Sequence, residues 1–232
     1  MSHDEPQIYC IHPITENLRF LLRLIKRFRK KYPTRFKYLK LLNNDSSHTR
    51  CLNLLSRIRD GLFIFLCHGY TECILGCDFR SSTLDLTERF KYGPFINDST
   101  FSALTGNKII AFCCNSNGVA EAAVKAGAKV AIGFESIRFD YQENIERGVK
   151  FKKIQQTVKY EIRCFLYDSI VYAIDRKLSF DDLVKHMRLL LNKRYKQILC
   201  SGHKHNQEIA AILLEIKMGI KLFGDPNLSV LS

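Results

Sequence analysis

No apolar run in the sequence approaches the roughly 20 residues of a membrane-spanning helix. The opening residues, MSHDEPQ, are polar and acidic, which argues against a secretory leader. Repeats, low-complexity tracts and Gly/Ser linkers are missing as well. Nothing therefore marks a second domain, and 232 residues suit one domain spanning 1–232, with 1–45 as a basic helical N-terminal segment. The 9 cysteines contain no Cys-x2-Cys pair. Their count is odd, the chain is too long for a disulfide miniprotein, and without a leader they read as reduced thiols of a cytoplasmic protein. The spacing of Cys67, His68, Cys73, Cys77, Cys113 and Cys114 fits no familiar zinc template, and His203 and His205 read as a solvated loop. No metal or other cofactor is expected.

Acidic residues are absent between Glu16 and Asp45, whereas Arg19 to Lys40 holds ten Lys or Arg within a net charge of +13. Such a segment fits nucleic acid or another anionic partner. It also fits the solvated face of a core-docked helix, because Leu18, Leu21, Leu22, Ile25 and Phe28 recur at helical spacing. The interleaved aromatics are no more frequent than a core needs, which favours the solvated face. Hydrophobic residues make up 46%, enough for a full core and too many for disorder.

Gln7–Ile11 reads as a short strand, broken by Pro13, with Thr15 placed to cap a helix to about Tyr32. Phe36–Leu42 fits strand or helix, and Ser46–Asp60 reads as a helix. The runs GLFIFLCHG, KIIAFC and AKVAIGF are short, apolar and bounded by turn residues, as strands buried on both faces are. Cys73–Phe79 reads as a small hairpin or edge strand, Ser82–Asp98 as irregular and Phe101–Leu104 as the start of a short helix. Val119, Ala122, Ala123 and Ala126 mark a helix over Gly118–Ala126 with Gly127 as its stop. Strand, helix and strand joined this closely form a βαβ unit with parallel strands. Beyond Arg138 the pattern is helical, at about Gln142–Ile174, Ser179–Leu199 and His205–Met218, and KLFGDPNLSVL ends as a turn and an extended piece.

Ligands of an open parallel sheet bind outside the carboxyl ends of its strands. FLCHGY places His68 just past one strand and AFCCNSNG places Cys114 just past another, so parallel strands bring both to one edge. A thiol shortly before a helix and near an imidazole suits a nucleophile. The Gly69 and Cys114 amides are placed to hold an oxyanion. Adjacent strand residues face opposite ways, so only one of Cys113 and Cys114 meets His68; Cys113 lies within the apolar run and Cys114 at its end, favouring Cys114. The plain alternative is a small buried cysteine and a structural histidine.

The order strand–His–Gly, strand–Cys, helix, AGAK, strand ending in IGF and terminal GDP turn resembles the caspase-like cysteine peptidases, within them the CHAT and gingipain-like branch. His68-Gly69 is similar to that branch's histidine motif, and Phe112–Ser116 to its nucleophile segment. Cys113 stands where a small residue is usual, and Gly118 falls one place late. Ala122, Ala126, Gly127, Ala128, Ala131, Ile132 and Gly133 resemble its following helix and strand, Gly224, Asp225, Pro226 and Leu228 its closing turn, and YAIDRKLSFDDLVKHMR its late helices. The likeness covers about 61–231. It implies a three-layer α/β/α sandwich with a central, mostly parallel sheet and a helical C-terminal half. It further implies a metal-free Cys-His endopeptidase, with Cys114 as nucleophile, His68 as proton carrier and Gly69 and Cys114 as oxyanion donors. Asp78, Asp85, Glu135 and Asp140 are candidates to line its specificity pocket. The partners implied are a protein substrate and a regulatory protein, as in bacterial defence systems. The alternatives are an inactive scaffold of the same fold, a module that binds nucleic acid or an acidic partner through the basic segment, and a Cys-His hydrolase or acyl transferase with another substrate.

Overall fold

The computed structural model describes residues 7–70, 72–76, 94–135, 137 and 152–231. Each predicted apolar run forms a strand, its short length and β-branched and aromatic residues favouring extended backbone over a buried helix. These strands are β3 (Leu62–Phe65), β7 (Lys108–Ala111) and β8 (Val130–Gly133), buried throughout. With β1 (Ile8–Pro13), β2 (Phe36–Leu41) and β9 (Lys221–Gly224) they form one sheet in the order β2-β1-β3-β7-β8-β9. All neighbours run parallel except β9, which pairs antiparallel with β8. A small antiparallel sheet, β4 (His68–Tyr70), β5 (Cys73–Leu75) and β6 (Pro94–Ile96), follows directly from the end of β3.

Side-chain alternation along the strands feeds two cores. Leu62, Ile64, Ile110, Val130 and Ile132 face one side. They pack there against α1 (Leu22–Lys31), α4 (Lys152–Asp175), α5 (Phe180–Leu199) and α6 (Asn206–Gly219). Phe63, Phe65, Ile109, Ala111 and Ala131 face the other side. They meet α2 (Asp45–Leu55), the 3-10 turn Phe101–Leu104 and α3 (Ser116–Lys125). The result is a mixed α/β protein with a mostly parallel six-stranded sheet and helices on both faces. No helix among the described residues is long and apolar enough to cross a membrane.

Three local expectations change and one open alternative is resolved. Thr15 caps nothing: the chain makes a 3-10 turn at Arg19–Leu21, and α1 starts after Leu21 without a side-chain cap. The ambiguous Phe36–Leu42 segment is an edge strand whose lysines stay in solvent. Residues 94–96, expected to be irregular, pair with β5. KLFG, expected as part of a turn, closes the sheet. Gly127 does end α3: its φ of 103° is a left-handed conformation that side chains resist, and its amide bonds the Val124 carbonyl at 3.0 Å.

Candidate functional site

Because β3 and β7 are adjacent and parallel, with Phe65 opposite Ala111, their carboxyl ends open at the same edge. The Phe112 amide donates to the Phe65 carbonyl at 2.9 Å, which holds the strands in register to that edge. His68 and Cys114 leave it one after the other along their respective chains. Gly69 then packs directly on the second segment. A Cβ there would lie 2.0 Å from the Cys114 carbonyl oxygen and 2.9 Å from the Cys113 Cβ. Only glycine permits this approach, which brings the backbones of Gly69 and Cys114 into contact.

The two neighbouring cysteines are different chemically. Cys113 is 1% exposed, inside the core that faces α3. Beside it, Cys67 is buried, and that burial, followed by a hydrogen bond with the Cys113 thiol, holds Cys67 well above the usual thiol range. Cys114 is only half-buried, and its Sγ donates to the Ile137 carbonyl at 3.3 Å.

The turn from β7 into α3 is pinned to the end of β8. Asn115 is left-handed at φ 53°. Its amide donates to the Glu135 carbonyl at 2.6 Å and that of Ser116 to the Phe134 carbonyl at 2.8 Å. The buried Ser116 hydroxyl donates to the Ala111 carbonyl at 2.6 Å and accepts from the Phe134 amide at 2.9 Å. Gly133 makes room for this turn, since a Cβ there would meet the Ser116 carbonyl at 2.7 Å. Cys114 thus sits on a rigid support ahead of a helix N-terminus, where partial positive charge favours a thiolate.

A second group lies behind His68 at the end of β1. Thr15 Oγ1 is 3.3 Å from His68 Nε2. His12 is fully buried; its Nε2 donates to the Leu18 carbonyl at 3.1 Å, which leaves Nδ1 to accept from the Tyr38 hydroxyl at 3.2 Å. Burial lowers the His12 pKa; the Leu18 carbonyl opposes this, and the charge of His68 adds to it. Burial, with Cys10 and Cys67 nearby, pushes Tyr38 up to about 12. Sequence reasoning missed His12, Thr15 and Tyr38. The available signal was the same strand-end logic applied to IHP after Gln7–Ile11, once that strand is placed beside β3.

Of the four acidic pocket candidates, Glu135 lies at this edge, just past β8. Its side chain is exposed and its amide donates to the Gly219 carbonyl at 3.1 Å. Asp78, Asp85 and Asp140 lie outside the described residues. Among the described residues, no three His, Cys, Asp or Glu side chains are grouped to hold a metal. His203 and His205 form a turn before α6, where the His205 amide donates to His203 Nδ1 at 3.1 Å. The sequence matches no family model and no curated protein.

Proposed function

We propose that the chain is a cysteine endopeptidase of the caspase-like type, acting through Cys114 and His68. One observation carries this reading. The histidine and the accessible cysteine leave adjacent parallel strands at one sheet edge, and Gly69 is packed against the Cys114 carbonyl. In the proposed reaction the Cys114 thiolate attacks the scissile carbonyl and forms a tetrahedral intermediate. The Gly69 and Cys114 amides receive the negative oxygen. His68, holding the thiol proton, gives it to the leaving amine as the thioester forms. Water, deprotonated by His68, then releases the acyl group and regenerates the thiol.

The present hydrogen bonds describe a resting state. The Cys114 thiol is directed at the Ile137 carbonyl, and His68 Nε2 lies within hydrogen-bond reach of Thr15. This supports an enzyme that a partner or trigger releases, as the family resemblance implies. An inactive scaffold is the alternative outcome of the test.

Iodoacetamide alkylation of all cysteines as a function of pH, read by mass spectrometry, is compared between wild type and His68→Ala. Cys114 is expected to label well below pH 8.5, near which an ordinary thiol titrates at roughly its free value, and to lose that advantage without His68. Labelling of Cys114 no faster than that of the exposed Cys200 means either an inert site or one that awaits its trigger, and repeating the assay with candidate partners separates the two. A peptide-library screen then separates a peptidase from another acyl transferase. Cleavage of a library peptide that survives in Cys114→Ala would sink the assignment.

A further inference from the structure

The basic segment is partly explained by packing and partly not. The Arg27 guanidinium lies 3.6 Å from the Tyr167 ring centroid, and Lys31 pairs with Asp175 at 2.9 Å, so both tie α1 to α4. Arg19, Arg23, Lys26, Arg29 and Lys30 do nothing of the kind. All are exposed, and no partner among the described residues pairs with them. Arg23, Lys26 and Lys30 fall at i, i+3 and i+7, opposite the buried Leu24, Ile25 and Phe28. They form one outward stripe.

The C-terminal dipole of α1 favours Lys30 in its last turn, but otherwise little in the fold compensates the stripe. Like charges at i, i+3 and i, i+4 repel along it. The first turn of α1 holds no acid to balance its N-terminal dipole. The carboxylates of the neighbouring α4 are already engaged, Glu161 and Asp168 with Arg194 at 2.7 and 2.8 Å, and Asp175 with Lys31 and Tyr32. Alongside, α4 adds further cations. Lys159 lies 5.3 Å from the Phe20 ring centroid, and Arg163 lies 5.9 Å from that of the exposed Tyr160.

We infer that the outward face of α1 is a docking surface for the phosphate backbone of a nucleic acid. Three of the uncommitted cations are arginines, Arg19, Arg23 and Arg29, whose planar fork matches phosphate. From Arg19 to Lys30 the helix rises about 16 Å, over which a duplex carries on the order of ten phosphates. Tyr160 offers an exposed ring beside Arg163, as base-stacking surfaces do. An anionic membrane fits less well, because the apolar face of α1 that would enter lipid is buried in the core. This inference is independent of the Cys114–His68 chemistry.

The test is fluorescence anisotropy of the full chain with a labelled 20-nucleotide single strand and its 20-base-pair duplex, in 50 to 200 mM KCl. Duplex affinity is expected to fall about 3.5-fold per phosphate contact over that range. Arg23→Gln/Lys26→Gln/Lys30→Gln should lose three such contacts, lowering the log–log salt slope by about 2.7. The single change Lys26→Gln should lower it by about 0.9, which keeps the test open if the triple variant melts early. Lys193→Gln/Lys196→Gln/Lys204→Gln, exposed on α5 and the following turn, should leave the slope unchanged. No binding at 50 mM KCl, or equal losses in both triple variants, overturns the inference. So does displacement of the oligonucleotide by poly-glutamate as effective as that by unlabelled oligonucleotide, which would instead identify an acidic protein partner.

Discussion

Gly69→Ala tests the contact on which the candidate site depends. Gly69 has no left-handed φ, so an alanine there suffers no backbone penalty and the effect is purely steric. The added Cβ would meet the Cys114 carbonyl oxygen at 2.0 Å and the Cys113 Cβ at 2.9 Å. The nearest atom is backbone, not the movable end of a side chain, so the β4 segment and the β7–α3 turn must separate. Overpacking a tight site costs about 1–3 kcal/mol, and a clash with backbone belongs at the top of that range. With a urea m-value of about 2–3 kcal/mol/M, the expected shift in midpoint is about 1 M. The assay is equilibrium urea unfolding followed by circular dichroism, with Gly202→Ala as control, since a Cβ at Gly202 meets nothing within 4 Å. The variant should also lose any preferential alkylation of Cys114, because the two strand ends no longer meet. A Gly69→Ala midpoint equal to that of Gly202→Ala refutes the close approach of the two strand ends.

Three further outcomes follow from the surrounding geometry. Ser116→Ala leaves the Phe134 amide and the Ala111 carbonyl without their shared hydroxyl, which should cost about 1–3 kcal/mol in the same urea assay; an unchanged midpoint would show that the hydroxyl does not join β7 to β8. Thr15→Val removes the partner of His68 Nε2, releases the imidazole from that contact and should speed Cys114 alkylation at neutral pH by about 2- to 10-fold, the equivalent of one hydrogen bond of about 0.5–1.5 kcal/mol, while Thr15→Ser keeps the wild-type rate; identical rates in all three proteins refute the contact. His12, with its pKa lowered first by burial, stays neutral in the fold while the unfolded chain takes up a proton below about pH 6.5. Its contribution is therefore present above that pH and lost as pH falls towards the folded pKa, so the urea midpoint should drop between pH 7.5 and 5.5 less in His12→Gln than in wild type, and parallel profiles exclude the effect.

The strands that build the site were legible because burial on both faces leaves an unbroken apolar run, as in LFIF, KIIA and VAIG. Placing His68 and Cys114 at one edge needed only that these runs be parallel neighbours, which they are. What was missed depends on partners distant in sequence. KLFG has little strand pattern of its own and is held by pairing with residues 130–133. Pro94–Ile96 is too short to show alternation, and Phe36–Leu41 mixes exposed lysines with buried ends because it has a neighbour on one side only. Thr15 looked like a helix cap because local capping is what a threonine at that position ordinarily does. Here its hydroxyl is used by a histidine 53 residues away.

The short connection between β1 and α1 joins two regions with separate roles. Thr15 touches His68, the Leu18 carbonyl holds His12, and Arg19 opens the basic stripe. Residues 14–18 are therefore common to the candidate dyad and the candidate phosphate surface. Thermodynamic linkage makes such an arrangement reciprocal. A nucleic acid that draws α1 towards a position in which Thr15 releases His68 would raise the affinity of the dyad for its peptide. The bound peptide would raise the affinity for nucleic acid by the same factor. The chain would then couple the two inputs through residues 14–18.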